Sequence, residues 1–269
     1  MIKSELSQQP RKIMKRVNGF TLIELAMVLF IVALVLGSVL TPLSTRLEQA
    51  NRKQAEETLK EIKESIIGYT LINRHLPCPD CPLNANANCT GAISDDGVED
   101  GLTLGGGVAS RASSNFNTCT VQVGNVPWVT LGVPEFDPWG QRYVYSVSQT
   151  FADDTDGTGC GTTTTGVSFE ICSTGDMTIL NANGISVASS IPALVFSYGA
   201  NGKPFSLAAG SVPASATEAD NWWVNSMGGD RTFRSDNYIQ TAGTEFDDIV
   251  TWITDPELMY RMVTAEQLP

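Results

Sequence analysis

An uninterrupted apolar stretch near the N-terminus constrains the fold of this chain more than any other feature. From Phe20 to Leu43 the only ionisable side chain is Glu24. A helix of about 20 residues crosses a hydrocarbon core of roughly 30 Å, so this stretch predicts a membrane-spanning helix over residues 20–43. A charged group inside such a helix costs on the order of 2.5–3.5 kcal/mol, and we therefore expect Glu24 to have a partner or a function.

The charges on either side of the apolar stretch predict its orientation. Residues 1–19 carry five basic side chains and one acidic side chain, a net charge of +4, while the whole chain carries −12. The remainder therefore carries −12 − 4 = −16. A basic flank marks the cytoplasmic end of a spanning helix. We expect residues 1–19 to be a basic leader on the cytoplasmic side and everything after Leu43 to lie outside the cytoplasm.

The start of the apolar stretch, Gly19-Phe-Thr-Leu-Ile-Glu-Leu25, resembles the processing and assembly signal of type IV prepilins and type II secretion pseudopilins. The resemblance implies that prepilin peptidase cleaves after Gly19, that the new N-terminal residue Phe20 is N-methylated, and that Glu24 is required for assembly. It also implies a single-pass protein of the bacterial inner membrane with a periplasmic C-terminal domain. The implied partners are the peptidase, other pilin or pseudopilin subunits, the inner-membrane assembly platform and membrane lipid.

Two other classes of N-terminal segment fit the sequence less well. A secretory signal peptide has a shorter apolar core that is followed by a cleavage site of small residues, and no Ala-x-Ala-like site follows this stretch. A plain signal anchor would have an apolar stretch of the same length. It would not need the junction between Gly19 and Phe20 or the carboxylate of Glu24. The motif and its position therefore favour the prepilin interpretation.

The composition changes after the apolar stretch, but the helical pattern continues. Apolar or small residues recur at three- to five-residue spacing and predict one buried helical face, while charge pairs four residues apart fall on the other. The sequence therefore predicts an amphipathic extension over residues 44–75. The predicted face consists of Leu47, Ala50, Ala55, Leu59, Ile62, Ile66 and Tyr69.

The remaining residues, 76–269, are predicted to form a β-rich domain outside the cytoplasm. Three prolines in residues 76–82 end the helix, and residues 83–125, rich in Asn, Gly, Ser and Thr, predict a long loop region. Short β-branched or aromatic segments separated by turn residues then predict strands. These segments are residues 126–131, 142–148, 167–172, 176–180 and 193–198.

Three local signals complete the predicted fold. Asn201-Gly202 indicates a hairpin, and residues 246–253 indicate a strand or a turn of helix. Asp255-Pro256 supplies a cap and a first-turn proline for a short helix through Met262. The predicted fold class is α+β, with a long N-terminal helix packed on a C-terminal antiparallel sheet domain, as in pilins.

A second resemblance to major pseudopilins lies in Asp137-Pro138-Trp139-Gly140 and the aromatic segment that follows it. Asp at the first, Pro at the second and Gly at the fourth position are typical of a type I turn. We expect a structural role for this turn, with Trp139 packed on the sheet.

All six cysteines, Cys78, Cys81, Cys89, Cys119, Cys160 and Cys172, follow the apolar stretch and predict disulfides in an oxidising compartment. Six cysteines allow about 15 pairings, and we expect one of them to join Cys160 to Cys172. Cys78-Pro-Asp-Cys81 also has redox or zinc spacing. With His75 as the only histidine and no second such pair, we predict a structural role for it.

The sequence predicts no enzyme and no cofactor. Nucleophile-elbow, zinc-protease and phosphate-loop motifs are absent from it. Calcium is the alternative, because major pseudopilins bind calcium and carboxylates are its preferred ligands. The candidate ligands are Asp153, Asp154 and Asp156, with residues 95–100 as a second acidic loop, although neither loop completes a known calcium-binding pattern. The acidic domain also argues against bulk nucleic-acid binding.

The function that the resemblance implies is that of a structural subunit, processed by prepilin peptidase and assembled through its N-terminal helix. The filament would be a type II secretion pseudopilus or a type IV pilus-like fibre. The alternative is a minor pilin or tip adhesin of a type IV pilus used in adhesion, motility or DNA uptake.

Overall fold

The computed structural model divides the chain into two compact units, of which the first ends at Glu48 and the second extends from Gln49 to Pro269. It describes residues 21–82, 95–103, 108–110, 116–152, 168–200, 202, 215–219, 221, 231–239, 241 and 243–268. Within these ranges, only the backbone is described for residues 37–44, 102–103, 108–110, 116–118 and 216–217. The described part of the first unit is helical from Leu22 onward.

The first helix, α1, runs from Leu22 to Asn73. It begins two residues after the predicted start at Phe20 and ends two residues before the predicted end at residue 75. Among the residues with described side chains, none of the helices combines the length and hydropathy that a bilayer crossing requires. Residues 37–44, within the predicted span, lie outside that set.

Short strands and helices follow α1, and most of them contain only three to six residues. The strands are β1 (Asp100–Thr103), β2 (Val108–Ser110), β3 (Phe116–Cys119), β4 (Val123–Asn125), β5 (Val144–Val147), β6 (Met177–Leu180), β7 (Ser186–Ile191), β8 (Ala193–Ser197), β9 (Thr232–Arg234) and β10 (Ile249–Ile253). The helices are α2 (Trp128–Leu131), α3 (Gln149–Ala152), α4 (Ala216–Ala219) and α5 (Asp255–Thr264).

The described strands form three sheets rather than one. Their orders are β2-β1-β3, β10-β8-β5-β4 and β7-β6-β9. All pairs are antiparallel except β6 with β9, which run parallel. The α+β class with a predominantly antiparallel sheet domain is therefore present, and the parallel pair is a departure from the predicted pattern.

The four-stranded sheet β10-β8-β5-β4 lies between two apolar clusters, because alternate residues of a strand point to opposite faces. Tyr145 and Val195 belong to the cluster that also contains the buried face of α1, whereas Val144 and Phe196 belong to a second cluster with β6 and β9. In the predicted face of α1, the fully buried members are Ala55, Leu59, Ile62 and Ile66, while Leu47 and Ala50 are exposed.

Truncating this face of α1 is expected to destabilise the domain. Ile62 is 0% exposed, so Ile62→Ala should cost about 2–5 kcal/mol through lost transfer energy and an unfilled cavity. For a domain of this size, that corresponds to a fall in melting temperature of about 10 °C. Circular dichroism of the detergent-solubilised chain measures it, and Ile72→Ala, at a side chain 81% exposed, is the matched control. Equal melting of the two variants would contradict the packing.

Three local predictions differ from the observed structure, and a fourth is not tested by it. Residues 126–131, predicted as a strand, contain the helical turn α2, which is preceded by Pro127 and ended by Gly132 in the left-handed region (φ 68°). The described part of residues 167–172 contains no strand. The predicted loop over residues 83–125 contains β1 to β4. The hairpin at Asn201-Gly202 cannot be compared, because Asn201 lies outside the described residues.

The last helix, α5, confirms its predicted position but not its predicted cap. Thr254, rather than Asp255, is the N-cap residue, and its side chain accepts a hydrogen bond from the backbone N–H of Glu257. Pro256 lies in the first turn, where a missing N–H costs nothing. Leu258 and Met262 of α5 join the same apolar cluster as Ile62 of α1.

Both cysteines of one disulfide lie within the described residues, and this disulfide joins Cys78 to Cys119. Cys81 and Cys172 are also disulfide-bonded. Because Cys78 bonds to a residue 41 positions away, it is not paired with Cys81 in the manner of a redox Cys-x-x-Cys. Cys89 and Cys160 lie outside the described residues, so the pairing of Cys160 with Cys172 stays a prediction.

Candidate functional site

The candidate site is the beginning of α1, where the sequence places processing and assembly. Gly19 and Phe20, the predicted cleavage and methylation positions, lie outside the described residues. The structure begins at Thr21, and α1 follows directly at Leu22. The geometry of this site therefore consists of Thr21, Glu24 and the apolar side chains of the following turns.

Thr21 caps α1. Its hydroxyl oxygen accepts a hydrogen bond from the backbone N–H of Glu24 (3.3 Å), and its carbonyl accepts one from the N–H of Leu25 (3.1 Å). A threonine at the N-cap satisfies an N–H that has no partner within the helix. Thr21 was not among the sequence-predicted site residues, although the spacing Thr21-x-x-Glu24 is that of a capping box and could have identified it.

Glu24 lies in the first turn of α1 and is exposed. A carboxylate is favourable there, because the N-terminal end of a helix carries a partial positive charge. Among the described residues, no basic side chain forms an ion pair with Glu24. Its charge is therefore available to a group outside the described chain.

The apolar side chains that follow are also exposed. Every described side chain from Leu22 to Leu36 is in the exposed class, including Leu22 at 89% and Phe30 at 65%. An apolar surface of this extent marks a site of contact with protein or membrane. The site therefore consists of an exposed carboxylate that is followed by a continuous apolar surface.

A second group of polar side chains lies inside the second unit, around Asp80. Asp80 and Asp100 are 0% and 4% exposed. Burial, reinforced by the neighbouring charge of Asp100, raises the pKa of Asp80 to about 8. Burial likewise raises the pKa of Asp100 to about 6, although a hydrogen bond from the N–H of Cys81 opposes the shift. Asn125 donates to Asp95 (2.9 Å) and to Asp80 (3.5 Å).

Arg142 is the cation beside this acidic group. Its guanidinium pairs with Asp95 and with Glu135 (2.6 Å), and it lies 4.5 Å from the ring centroid of Trp128. A guanidinium over an aromatic face is attracted by the ring quadrupole. Arg142 therefore ties the segment at Asp95 to α2 and to the turn at Glu135, which is a structural role.

The turn predicted at Asp137-Pro-Trp-Gly140 is present. The N–H of Gly140 donates to the carbonyl of Asp137 (3.0 Å), and Gly140 adopts φ 81°. The Asp137 carboxylate accepts hydrogen bonds from the N–H groups of Trp139 and Gln141 and from the hydroxyl of Ser197 (2.6 Å). Trp139 packs against the apolar cluster that also contains the buried face of α1.

The calcium candidates divide into two cases. Asp153, Asp154 and Asp156 lie outside the described residues. In the loop over residues 95–100, protein groups already interact with the carboxylates. Arg142 forms an ion pair with Asp95, and the backbone N–H of Cys81 donates a hydrogen bond to Asp100. Within the described parts of the chain, no three acidic, histidine or cysteine side chains are arranged to hold a metal ion.

Comparison with known proteins identifies the N-terminal segment. Residues 14–40 match the family model described as the prokaryotic N-terminal methylation motif. The match includes Gly19, Phe20 and Glu24 together with the capped start of α1. No curated protein and no solved structure shows significant similarity to the chain.

Proposed function

We propose that this chain, whose N-terminal methylation motif is the signature of type IV prepilin and pseudopilin-family proteins, is a structural subunit of a pilus-like filament. The observation that carries the proposal is the coincidence of the motif over residues 14–40 with a capped helix whose apolar side chains are exposed. A helix start of this kind suits assembly, because it offers a charge and an apolar surface to neighbours.

The first proposed step is processing. The motif implies prepilin peptidase as a partner, with cleavage after Gly19 and methylation of Phe20. Cleavage there would leave one residue before the cap residue Thr21 and would place a positive amine four positions from Glu24. The basic residues 1–19 would hold the cleavage site at the cytoplasmic face of the inner membrane.

The second proposed step is membrane insertion. The apolar half of α1 would lie in the inner membrane, with the C-terminal domain in the periplasm and the assembly platform as a further partner. The family motif supports a membrane-anchored chain. Disulfides involving Cys78, Cys81, Cys119 and Cys172 support an oxidising compartment for the domain.

The third proposed step is the transfer of α1 from lipid to filament. The exposed side chains between Leu22 and Leu36 would exchange contact with lipid for contact with the helices of neighbouring subunits. Glu24 would pair with the Phe20 amine of an adjacent subunit. Two unit charges 4 Å apart attract by about 4 kcal/mol at an effective dielectric constant of 20, before desolvation is subtracted. The pair therefore serves the register of assembly more than net stability.

The second unit supports a pilin-like arrangement. Residues of α1 from Ala55 to Ile67 pack with β5 and β8 in one apolar cluster. In the proposed subunit this part of α1 is the helix against which the sheet domain outside the membrane packs. We propose no catalytic role and no cofactor for the chain.

Two observations favour different filaments. The turn at Asp137-Pro-Trp-Gly140, which is held by Ser197, resembles that of major pseudopilins and favours a type II secretion pseudopilus. The large disulfide-containing domain over residues 76–269 favours a minor pilin or tip adhesin of a type IV pilus. We place the pseudopilus first, because a specific turn is a narrower signal than domain size.

Intact-mass analysis of the chain extracted from its native membrane tests the first step. We expect the mass of residues 20–269 plus one methyl group, with the disulfides intact. A Gly19→Leu variant is the control, since a bulky residue at the junction should leave the leader attached. Recovery of the unprocessed mass from the unaltered chain would refute processing, and with it the proposed function.

A further inference from the structure

The turn between β6 and β7 contains two asparagines whose side chains are held very differently. Asn181 begins the turn, and its carbonyl accepts a hydrogen bond from the N–H of Gly184 (2.9 Å). The side-chain oxygen of Asn181 accepts two more, from the N–H groups of Asn183 (3.0 Å) and Ile185 (3.0 Å). The side chain of Asn183 forms no hydrogen bond with the described residues, and both Asn183 and Gly184 are exposed. The side-chain amide of Asn183 is therefore open to solvent.

The residue that follows Asn183 leaves room for a reaction at this amide. Gly184 has no side chain, and it adopts φ 74°, a conformation that favours glycine. Apart from its chain neighbours, a Cβ built at this position would have one heavy atom within 4 Å, Nη1 of Arg234 at 3.9 Å. In the described structure, no bulky group therefore blocks the approach of the Gly184 nitrogen to the side-chain carbon of Asn183.

Arg234 lies beside this peptide bond. Its Nη1 donates to the carbonyl of Asn181 (2.7 Å), the same carbonyl that accepts the hydrogen bond from Gly184. A nearby positive charge favours the anionic form of a group. The guanidinium therefore lowers the cost of removing the proton from the Gly184 nitrogen once its hydrogen bond to Asn181 has opened.

We propose that Asn183 is a site of spontaneous deamidation. Hydroxide from the solvent removes the proton of the Gly184 N–H, and the nitrogen attacks the side-chain carbon of Asn183. A C–N bond forms, the bond to the side-chain nitrogen breaks, and ammonia leaves with a proton taken from water. Water then opens the resulting five-membered succinimide ring at either carbonyl and gives aspartate or isoaspartate. The net reaction converts an amide and water to a carboxylic acid and ammonia, without oxidation or reduction.

The modification changes both the charge and the length of the turn. Each product carries a carboxylate near Arg234 in place of a neutral amide. Isoaspartate also adds a carbon to the backbone between Asn181 and Gly184, which the turn hydrogen bond joins. Because turn geometry sets the register of a hairpin, this product weakens the pairing of β6 with β7. The inference does not depend on the proposed function, since the reaction needs only the turn and the solvent.

Peptide mapping of the detergent-solubilised chain by mass spectrometry tests the proposal. After incubation at mildly alkaline pH, the peptide containing Asn183 should gain about one dalton, with aspartate and isoaspartate both present. Two asparagines are internal controls: Asn181, which Ala182 follows, and Asn221, which is 0% exposed. An unchanged amide at Asn183, aspartate without isoaspartate, or an equal mass gain at the controls would overturn the proposal.

Two further rates separate the chemistry from the effect of the fold. In guanidinium chloride, a methyl group at position 184 should slow the reaction of Gly184→Ala at least about tenfold relative to the unaltered denatured chain. For the unaltered chain, we expect the folded rate to lie within about tenfold of the denatured rate, because the turn leaves the amide of Asn183 exposed. Stronger protection by the fold, or an undiminished rate in Gly184→Ala, would contradict the proposal.

Discussion

Glu24→Ala will abolish incorporation of the chain into filaments, with an expected loss of at least about tenfold in the amount recovered with sheared filaments. One power of ten corresponds to about 1.4 kcal/mol, and we expect the loss because subunits without the pair to the Phe20 amine no longer hold the register of assembly. Glu24 is exposed and lies in the first turn of α1, so its removal leaves no cavity in the described structure. The measured quantity is the ratio of filament-bound to membrane-bound chain.

Membrane insertion of the same variant will be unimpaired. Removing a charge from an apolar helix lowers the cost of insertion by on the order of 2.5–3.5 kcal/mol. Loss of assembly with normal insertion therefore separates a role in subunit contact from a role in targeting.

Glu57→Ala is the matched control, because Glu57 is an exposed carboxylate of α1 whose pair with Lys53 spans 3.8 Å. Exposed pairs contribute about 0–1 kcal/mol, and this control should assemble normally. Normal assembly of Glu24→Ala would contradict the pairing role.

Acidification from about pH 8 to about pH 6 will stabilise the domain. The pKa of Asp80 is raised to about 8 in the folded chain from an ordinary value of 3.8, so the folded state holds a proton that the unfolded state releases. This contribution to stability is complete below the ordinary pKa and is lost as the pH rises towards about 8. One such group changes the free energy of unfolding by about 1.4 kcal/mol per pH unit across this window.

Asp100 adds to the same trend at lower pH. Its pKa of about 6 means that its contribution is lost between about pH 4 and about pH 6. Between about pH 6 and about pH 8, Asp80 therefore contributes more than Asp100 to the fall in the free energy of unfolding with rising pH. For a domain of this size, about 3 kcal/mol corresponds to a change in melting temperature of roughly 5–10 °C.

Thermal unfolding of the detergent-solubilised chain at a series of pH values measures the effect. Asp80→Asn is the diagnostic variant, since it is neutral at every pH and keeps an acceptor for the N–H of Asp95. Between about pH 6 and about pH 8 its melting temperature should fall less with pH than that of the unaltered chain, and Asp248, whose pKa burial also raises, contributes to the remaining pH dependence. The melting temperature of the variant should also exceed that of the unaltered chain at the alkaline end. A variant that retains the full slope would show that other groups carry the pH dependence.

The sequence predicted the features that depend on local periodicity. The apolar stretch and the spacing of Ala55, Leu59, Ile62 and Ile66 identified α1 and its buried face, because a helix repeats every 3.6 residues. The strands β5, β6 and β8 were identified by β-branched and aromatic segments between turns. The start of α1 was predicted together with Glu24, although its cap was missed.

The features that depend on distant contacts could not be predicted. Residues 126–131 are β-branched and apolar, yet they contain the helical turn α2, which packs Trp128 against the core and under Arg142. The strands β1 to β4 contain only three or four residues each, and β1, β3 and β4 include Gly or Asn, so they give no local signal. The parallel pairing of β6 with β9 joins segments more than 50 residues apart. Burial of Asp80 likewise follows from the tertiary fold, and the sequence alone showed only an acidic chain.

The disulfide between Cys78 and Cys119 also has a mechanical consequence. Cys78 follows the end of α1 by five residues, and Cys119 is the last residue of β3. Tension applied along the chain passes directly through this covalent link and bypasses the segment between the two residues. A stretch of 41 residues would otherwise extend by roughly 140 Å, at about 3.4 Å per residue. While the disulfide is intact, the segment between Cys78 and Cys119 does not lengthen when the subunit is pulled. The segment can extend only after a reductant has cleaved the disulfide.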